Sequence, residues 1–131
     1  SNWARSPAGR SRHNLLYWRD HHWWGIGPGA HSHLAGLRWW NHDGLDRWAS
    51  DATCGTVPAA GYEVLRDDQR RLESVMLGIR LAEGLPVSTP HDSAGAARLV
   101  EDELLERCGD RLVLTVAGRL LADHVVRVLA C

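Results

Sequence analysis

The chain has 131 residues, 44% of them hydrophobic and 24% charged. That is one domain's worth of sequence, too apolar for a disordered chain and long enough to bury a core. A formal charge of −1 with neutral histidine makes no field to gather nucleic acid, so no nucleic-acid partner is expected. No run of 18 apolar residues offers a membrane span and no apolar stretch near residue 1 reads as a secretory leader. Cys54, Cys108 and Cys131 are scattered, without a CxxC pair, which suits a reducing, cytoplasmic setting better than a disulfide framework.

Composition shifts along the chain. Six of the seven Trp and five of the eight His fall before residue 41, and Phe is absent. Residues 1–41 read as short strands joined by tight turns, with no amphipathic helix. Trp23–Ile26 is an apolar run that breaks into Gly27-Pro28-Gly29-Ala30, and such a turn demands special backbone angles. Leu37–Trp40 reads as a second strand. This part has too little apolar periodicity to close its own core. Its strands leave open edges and exposed Trp faces, so its neighbours are expected upstream and the chain reads as the tail of a larger protein.

Residues 42–61 read as a loop with one helical turn near residues 45–48, then a Pro/Gly/Ala linker over 55–61. From residue 62 the pattern changes. Leu72, Val75, Met76 and Ile79 follow i, i+3, i+4, i+7 spacing and predict a helix over 67–83, with Asp67-Asp68 at its positive dipole end and Gly84 and Pro86 stopping it. After a loop, a second helix is predicted over 94–108, with Val100, Leu104 and Cys108 on one face. Gly109-Asp110 is a turn, 111–115 a strand, and Thr115 caps a last helix carrying Leu121, Val125 and Val128. Helix, helix, strand, helix suggests a small winged-helix-like bundle. Such a bundle serves DNA or protein partners, but Glu101, Asp102, Glu103 and Glu106 put acid where a DNA-reading face wants base.

The chemistry concentrates in Arg12-His13-Asn14-Leu15-Leu16-Tyr17-Trp18, flanked by Arg10 and Arg19. An imidazole can ligate iron, aromatic faces stack on a porphyrin, and guanidinium groups pair with propionates. Asn14 is a candidate for holding the imidazole tautomer of His13, because a ligating His needs a partner on its other nitrogen. The plain alternative is a polar loop with anchoring aromatics. The glycine-rich Gly25, Gly27 and Gly29 with His31 and Ser32 read either as a close backbone approach to a ligand or as a structural turn. His21 and His22 suit a solvated loop, since adjacent strand side chains point to opposite faces. His33, His42 and His91 carry no claim, and His124 reads as a boundary or core residue of the last helix.

The order Ser1-Asn2-Trp3-Ala4, then RHNLLYW at 12–18, WWGIGPGAHS at 23–32 and Arg38-Trp39-Trp40-Asn41 resembles the HemW-type haem chaperones. These are relatives of oxygen-independent coproporphyrinogen III oxidase in the radical S-adenosylmethionine superfamily. Residues 73–85 are similar to that family's first C-terminal-domain helix, and 111–121 to its closing strand and helix. After Asn41 the chain departs from the family's basic, proline-containing stretch and reads His42-Asp43-Gly44-Leu45-Asp46-Arg47-Trp48.

The resemblance implies an α+β chain. The last strands of a partial radical-SAM β/α barrel would occupy residues 1–61, with a linker. A winged-helix-like α-helical C-terminal domain would occupy 62–131. It implies His13 as haem-iron ligand, with Arg12, Asn14, Tyr17 and Trp18 around the macrocycle, and Gly25, Gly27, Gly29, His31 and Ser32 as a turn beside the cofactor cleft. The implied partners are haem, the missing N-terminal barrel and a respiratory haem-protein acceptor, with contact to a membrane at most peripheral. In the full-length family, S-adenosylmethionine and a 4Fe-4S cluster sit on a CxxxCxxC motif that this chain lacks, so radical chemistry by this chain alone is not expected. The alternatives are a coproporphyrinogen III oxidase-like remnant and a protein-interaction module without catalysis.

Overall fold

The computed structural model describes residues 4–90 and 92–130. Ser1, Asn2 and Trp3 of the first motif element, His91 and Cys131 lie outside the described residues. The chain forms two compact units. His21–Asp67 is one, here the sheet unit. The described residues up to Asp20, with those from Asp68 onward, form the other, the helical unit.

The sheet unit holds a three-stranded antiparallel sheet, β1 (His31–Leu34), β2 (Leu37–Asn41) and β3 (Ala59–Val64), in that order. β1 and β2 pair from His31↔Trp40 to Leu34↔Leu37. Their two-residue turn, Ala35-Gly36, has positive φ at both positions (51° and 87°), the twist that a tight hairpin favours. The Gly36 amide donates to Nε2 of buried His33 at 3.1 Å, so His33 clips its own turn. The apolar run at Trp23 contributes one bridge, Trp23 to His33. α2 (Leu45–Thr53) connects β2 to β3.

Residues 45–64 correct the sequence reading. The expected single turn is a nine-residue helix, and the expected linker over 55–61 ends in a strand registered against β2 from Leu37↔Val64 to Asn41↔Ala59. Gly61 is there for room rather than slack, since a Cβ on it would meet Trp40 Cζ2 at 2.5 Å. The unit buries Trp39 and Leu65, but also Ser32, His33 and Asn41. Its interior is thus aromatic and polar.

In the helical unit α1 (Arg12–Trp18) is a helix where the sequence reading expected strands and turns. Ser11 caps it, its hydroxyl accepting from the Asn14 amide at 3.2 Å, a standard way to satisfy first-turn donors. Two turns are too few to display an i, i+3, i+4, i+7 stripe, so periodicity could not reveal it.

α3 (Asp67–Gly78) is regular to Gly78 and runs on as single turns to Gly84, shorter than predicted. β4 (Leu85–Pro86), α4 (Ser93–Glu101), β5 (Leu105–Cys108), β6 (Arg111–Leu114), α5 (Val116–Leu120) and α6 (Ala122–Ala130) follow. The strands form a second sheet, ordered β4-β6-β5. The core gathers Val75, Ile79, Leu99, Leu105, Leu114, Val125 and Leu129 from α3 and the turn after it, α4, the sheet and α6. Thr115 caps as expected, its hydroxyl accepting from Gly118 at 3.0 Å, but the final helix is broken at Leu121 into α5 and α6.

The helix predicted over 94–108 stops at Glu101 and gives way to β5. Glu103 takes φ 56°. Its amide returns to Val100 O at 3.1 Å and the Leu104 amide to Leu99 O at 2.9 Å. This is a Schellman ending with Glu where glycine is usual, which is why no glycine signalled it. The chain turns there because Leu105 is buried opposite Leu114 in the β5–β6 hairpin. Glu103→Gly, relieving the left-handed strain, is expected to stabilise the unit by about 0.5–1 kcal/mol after glycine's added unfolded-state entropy. Thermal unfolding followed by circular dichroism checks the upward shift.

Candidate functional site

The helical winding of α1 explains the spacing in His13-Asn14-Leu15-Leu16-Tyr17-Trp18. Residues four apart stack on one helix face, so His13 stands over Tyr17 and Asn14 over Trp18. The outer pair, His13 and Tyr17, is exposed, while Asn14 and Trp18 are half-buried. The Tyr17 hydroxyl is 3.1 Å from His13 Nε2. The two rings meet edge to face, with centroids 5.0 Å apart and planes at 89°. The side chain on Nε2 of the His13 imidazole is therefore Tyr17.

Asn14, Tyr17 and Trp18 line an open depression of about 250 Å³ whose fourth wall is Leu77 of α3. Arg19, just past α1, ties the helix down: its Nε and a terminal nitrogen lie 3.0 and 2.8 Å from Glu83 Oε1. Arg10 and Arg12 are exposed. Leu77 and Glu83 were not read as site residues, because nothing local in the sequence links them to a helix some 60 residues earlier.

The glycine turn lies in the sheet unit, whereas α1 belongs to the helical unit. The structure thus sorts the predicted site residues into two groups, each built by its own unit. Gly25 packs so tightly that a Cβ would meet the His31 carbonyl oxygen at 2.2 Å. Its amide donates to Ser32 Oγ at 2.9 Å. Buried Asn41 donates through Nδ2 to Gly27 O at 2.8 Å and Gly25 O at 3.3 Å, and the Gly29 amide donates to His42 O at 3.0 Å. Ser32 and Asn41 therefore shape the turn from beneath. Asn41 stood at the end of a motif in the sequence, with no role given to it. Its amide nitrogen carries two hydrogens and so serves both carbonyls at once.

Among the other histidines, His31 is exposed and lies 6.1 Å from the Trp40 ring between centroids. His42 Nε2 is 3.4 Å from Asp51 Oδ2. His21, His22 and His124 are exposed. An iron–sulfur cluster needs converging thiolates. Cys54 and Cys108 are exposed, one in each unit. Among the described residues no three His, Cys, Asp or Glu side chains converge as a metal site. The described residues do not fit a 4Fe-4S cluster.

No family model matches the chain. It is 47% identical over 131 residues, 98% of its length, to the heme chaperone HemW of Mycobacterium tuberculosis, covering 33% of that protein. It is 33% identical over 129 residues to the HemW of Lactococcus lactis, with 91% of this chain and 34% of that protein aligned. The chain thus spans about a third of the length of the curated relatives it matches. Among solved structures, coproporphyrinogen III oxidase (HemN) from Escherichia coli, a radical SAM enzyme, superposes with a TM-score of 0.60 at 18% identity, over 85% of this chain and 29% of that one. That likeness supports the fold: small sheets without a closed barrel, followed by a largely helical part. With 47% identity along 98% of its length, the chain is the counterpart of the C-terminal region of the HemW proteins.

Proposed function

We propose that this chain carries a haem-binding site on α1, with His13 as the iron ligand. The observation that carries the reading is the exposed His13–Tyr17 pair beside a depression lined by Asn14, Tyr17, Trp18 and Leu77. An imidazole nitrogen supplies the lone pair for iron. Tyr17 and Trp18 offer ring faces to the macrocycle, and Arg12 offers a guanidinium to a propionate. Asn14 and Leu77 close the inner side.

At about 250 Å³ and open to solvent, the depression falls short of the roughly 300–1,000 Å³ that encloses a small ligand. It covers one part of a porphyrin, which suits cargo that must leave again. In the full-length relatives we assign the remaining two thirds the S-adenosylmethionine and the 4Fe-4S cluster, with the haem passed to a respiratory haem protein. Among the described residues no helix is long and apolar enough to cross a membrane, and any work at a membrane surface would be peripheral. The proposed setting is cytoplasmic.

The test is a haem titration of the chain followed by visible absorption. A saturable one-to-one Soret change is expected in the wild type and its loss in His13→Ala. The variant should stay folded, because exposed side chains away from special backbone sites rarely shift stability by more than about 0.5 kcal/mol. An equal Soret change in the variant would remove His13 as the ligand.

A further inference from the structure

The hydroxyl of Tyr17 lies on Nε2 of His13, one of the two imidazole nitrogens able to bind a metal. Both side chains are exposed, the Oη–Nε2 distance is 3.1 Å, and the rings meet at 89°. A neutral imidazole has one protonated nitrogen and one with a lone pair. If Nε2 accepts the phenol proton, its lone pair is occupied, and iron and the hydroxyl compete for one atom.

We propose that Tyr17 caps Nε2 of His13 in the haem-free chain and is displaced when iron binds, so that it governs how readily the site loads and releases haem. This rests on His13 being the haem ligand. The phenol is the natural donor in the pair, which leaves the imidazole proton on Nδ1. On loading, the Oη–H···Nε2 hydrogen bond breaks and the Nε2–iron bond forms. The hydroxyl turns to water or to another acceptor, and no proton or electron is gained or lost.

Release runs in reverse. Because Tyr17 sits four residues along the same helix, the capping hydroxyl is always at hand when iron lets go. A capped ligand of this kind binds more weakly than a bare one and returns to rest without help. An exposed hydrogen bond changes an equilibrium by roughly two- to tenfold, enough to tune a carrier without disabling it.

Tyr17→Phe keeps the ring and removes the hydroxyl. The expected result is haem binding tightened roughly two- to tenfold, with faster uptake in stopped flow. The double variant with His13→Ala should bind no better than His13→Ala alone. In the haem-free chain, nitrogen-15 resonances of selectively labelled histidine should show Nε2 of His13 as the unprotonated nitrogen, and its shift should move in Tyr17→Phe. That readout needs no haem.

Unchanged haem affinity in Tyr17→Phe overturns the capping role. Weaker affinity also overturns it, and assigns the hydroxyl as an acceptor from Nε2–H that supports iron on Nδ1. If His13→Ala binds haem as the wild type does, the ligand reading has failed and the capping role falls with it. Loss of binding in His13→Ala beside an unchanged Tyr17→Phe removes the capping role alone.

Discussion

Leu129→Ala is expected to destabilise the helical unit by about 2–5 kcal/mol, the range for truncating a large aliphatic side chain in a packed core. Leu129 is 0% exposed and sits in the cluster with Val75, Ile79 and Val125. A depression of about 100 Å³, bordered by Leu72, Val75, Thr89 and Leu129, already lies beside it. Removing the side chain extends that space between α3 and α6, and helices held at other points close over it only partly. Against a domain stability of about 5–15 kcal/mol, this is a large fraction. The urea midpoint followed by far-ultraviolet circular dichroism should fall steeply. Leu121→Ala, at a position 52% exposed, should shift it far less. Equal midpoints for the two variants would mean that this cluster is not what holds the unit together. Because α1 is part of the same unit, Leu129→Ala should also lose haem binding wherever the unit has melted.

Asn41→Asp is expected to dismantle the glycine turn. The buried amide nitrogen serves two carbonyls, Gly27 O and Gly25 O. A carboxylate has nothing to donate and presents negative charge to both oxygens in a site 3% exposed. Losing both bonds and burying an unmatched charge costs about 3 kcal/mol or more. Hydrogen exchange read by NMR localises the damage. The amides of Gly25, bonded to Ser32 Oγ, and Gly29, bonded to His42 O, should lose protection, while those of the β5–β6 hairpin keep theirs. Unchanged protection at Gly25 and Gly29 would show that the turn holds its shape without Asn41.

Much of the second half was legible because its signals are local. The i, i+3, i+4, i+7 stripe from Leu72 to Ile79 gave α3, Gly109-Asp110 gave the hairpin turn, and Thr115 gave the cap of α5. The ending of α4 was not legible, because Glu103 holds a left-handed angle in answer to a tertiary demand, the burial of Leu105. α2 was readable in part: Leu45, Trp48, Ala49 and Ala52 recur at helical spacing. The glycine and proline around them masked it, and also hid β3, where Gly61 makes room for Trp40.

The candidate site divides in the same way. The segment from His13 to Trp18 stood out by composition and by resemblance to the HemW-type chaperones. Its helical form turns the motif spacing into two stacked pairs, with Ser11 as the one local clue to it. Leu77 and Glu83 depend on packing between residues about 60 apart, where the sequence offers only ordinary helix residues. Ser32 and Asn41 show a related gap: the sequence places them in motifs, but only the folded turn shows which amide and which carbonyls they serve.

The most direct test of iron ligation by α1 is the resonance Raman spectrum of the ferrous haem-loaded chain. An iron–histidine stretch is expected that shifts on nitrogen-15 labelling of histidine and is absent in His13→Ala. A wild-type spectrum without that stretch, or the same stretch persisting in His13→Ala, would contradict it.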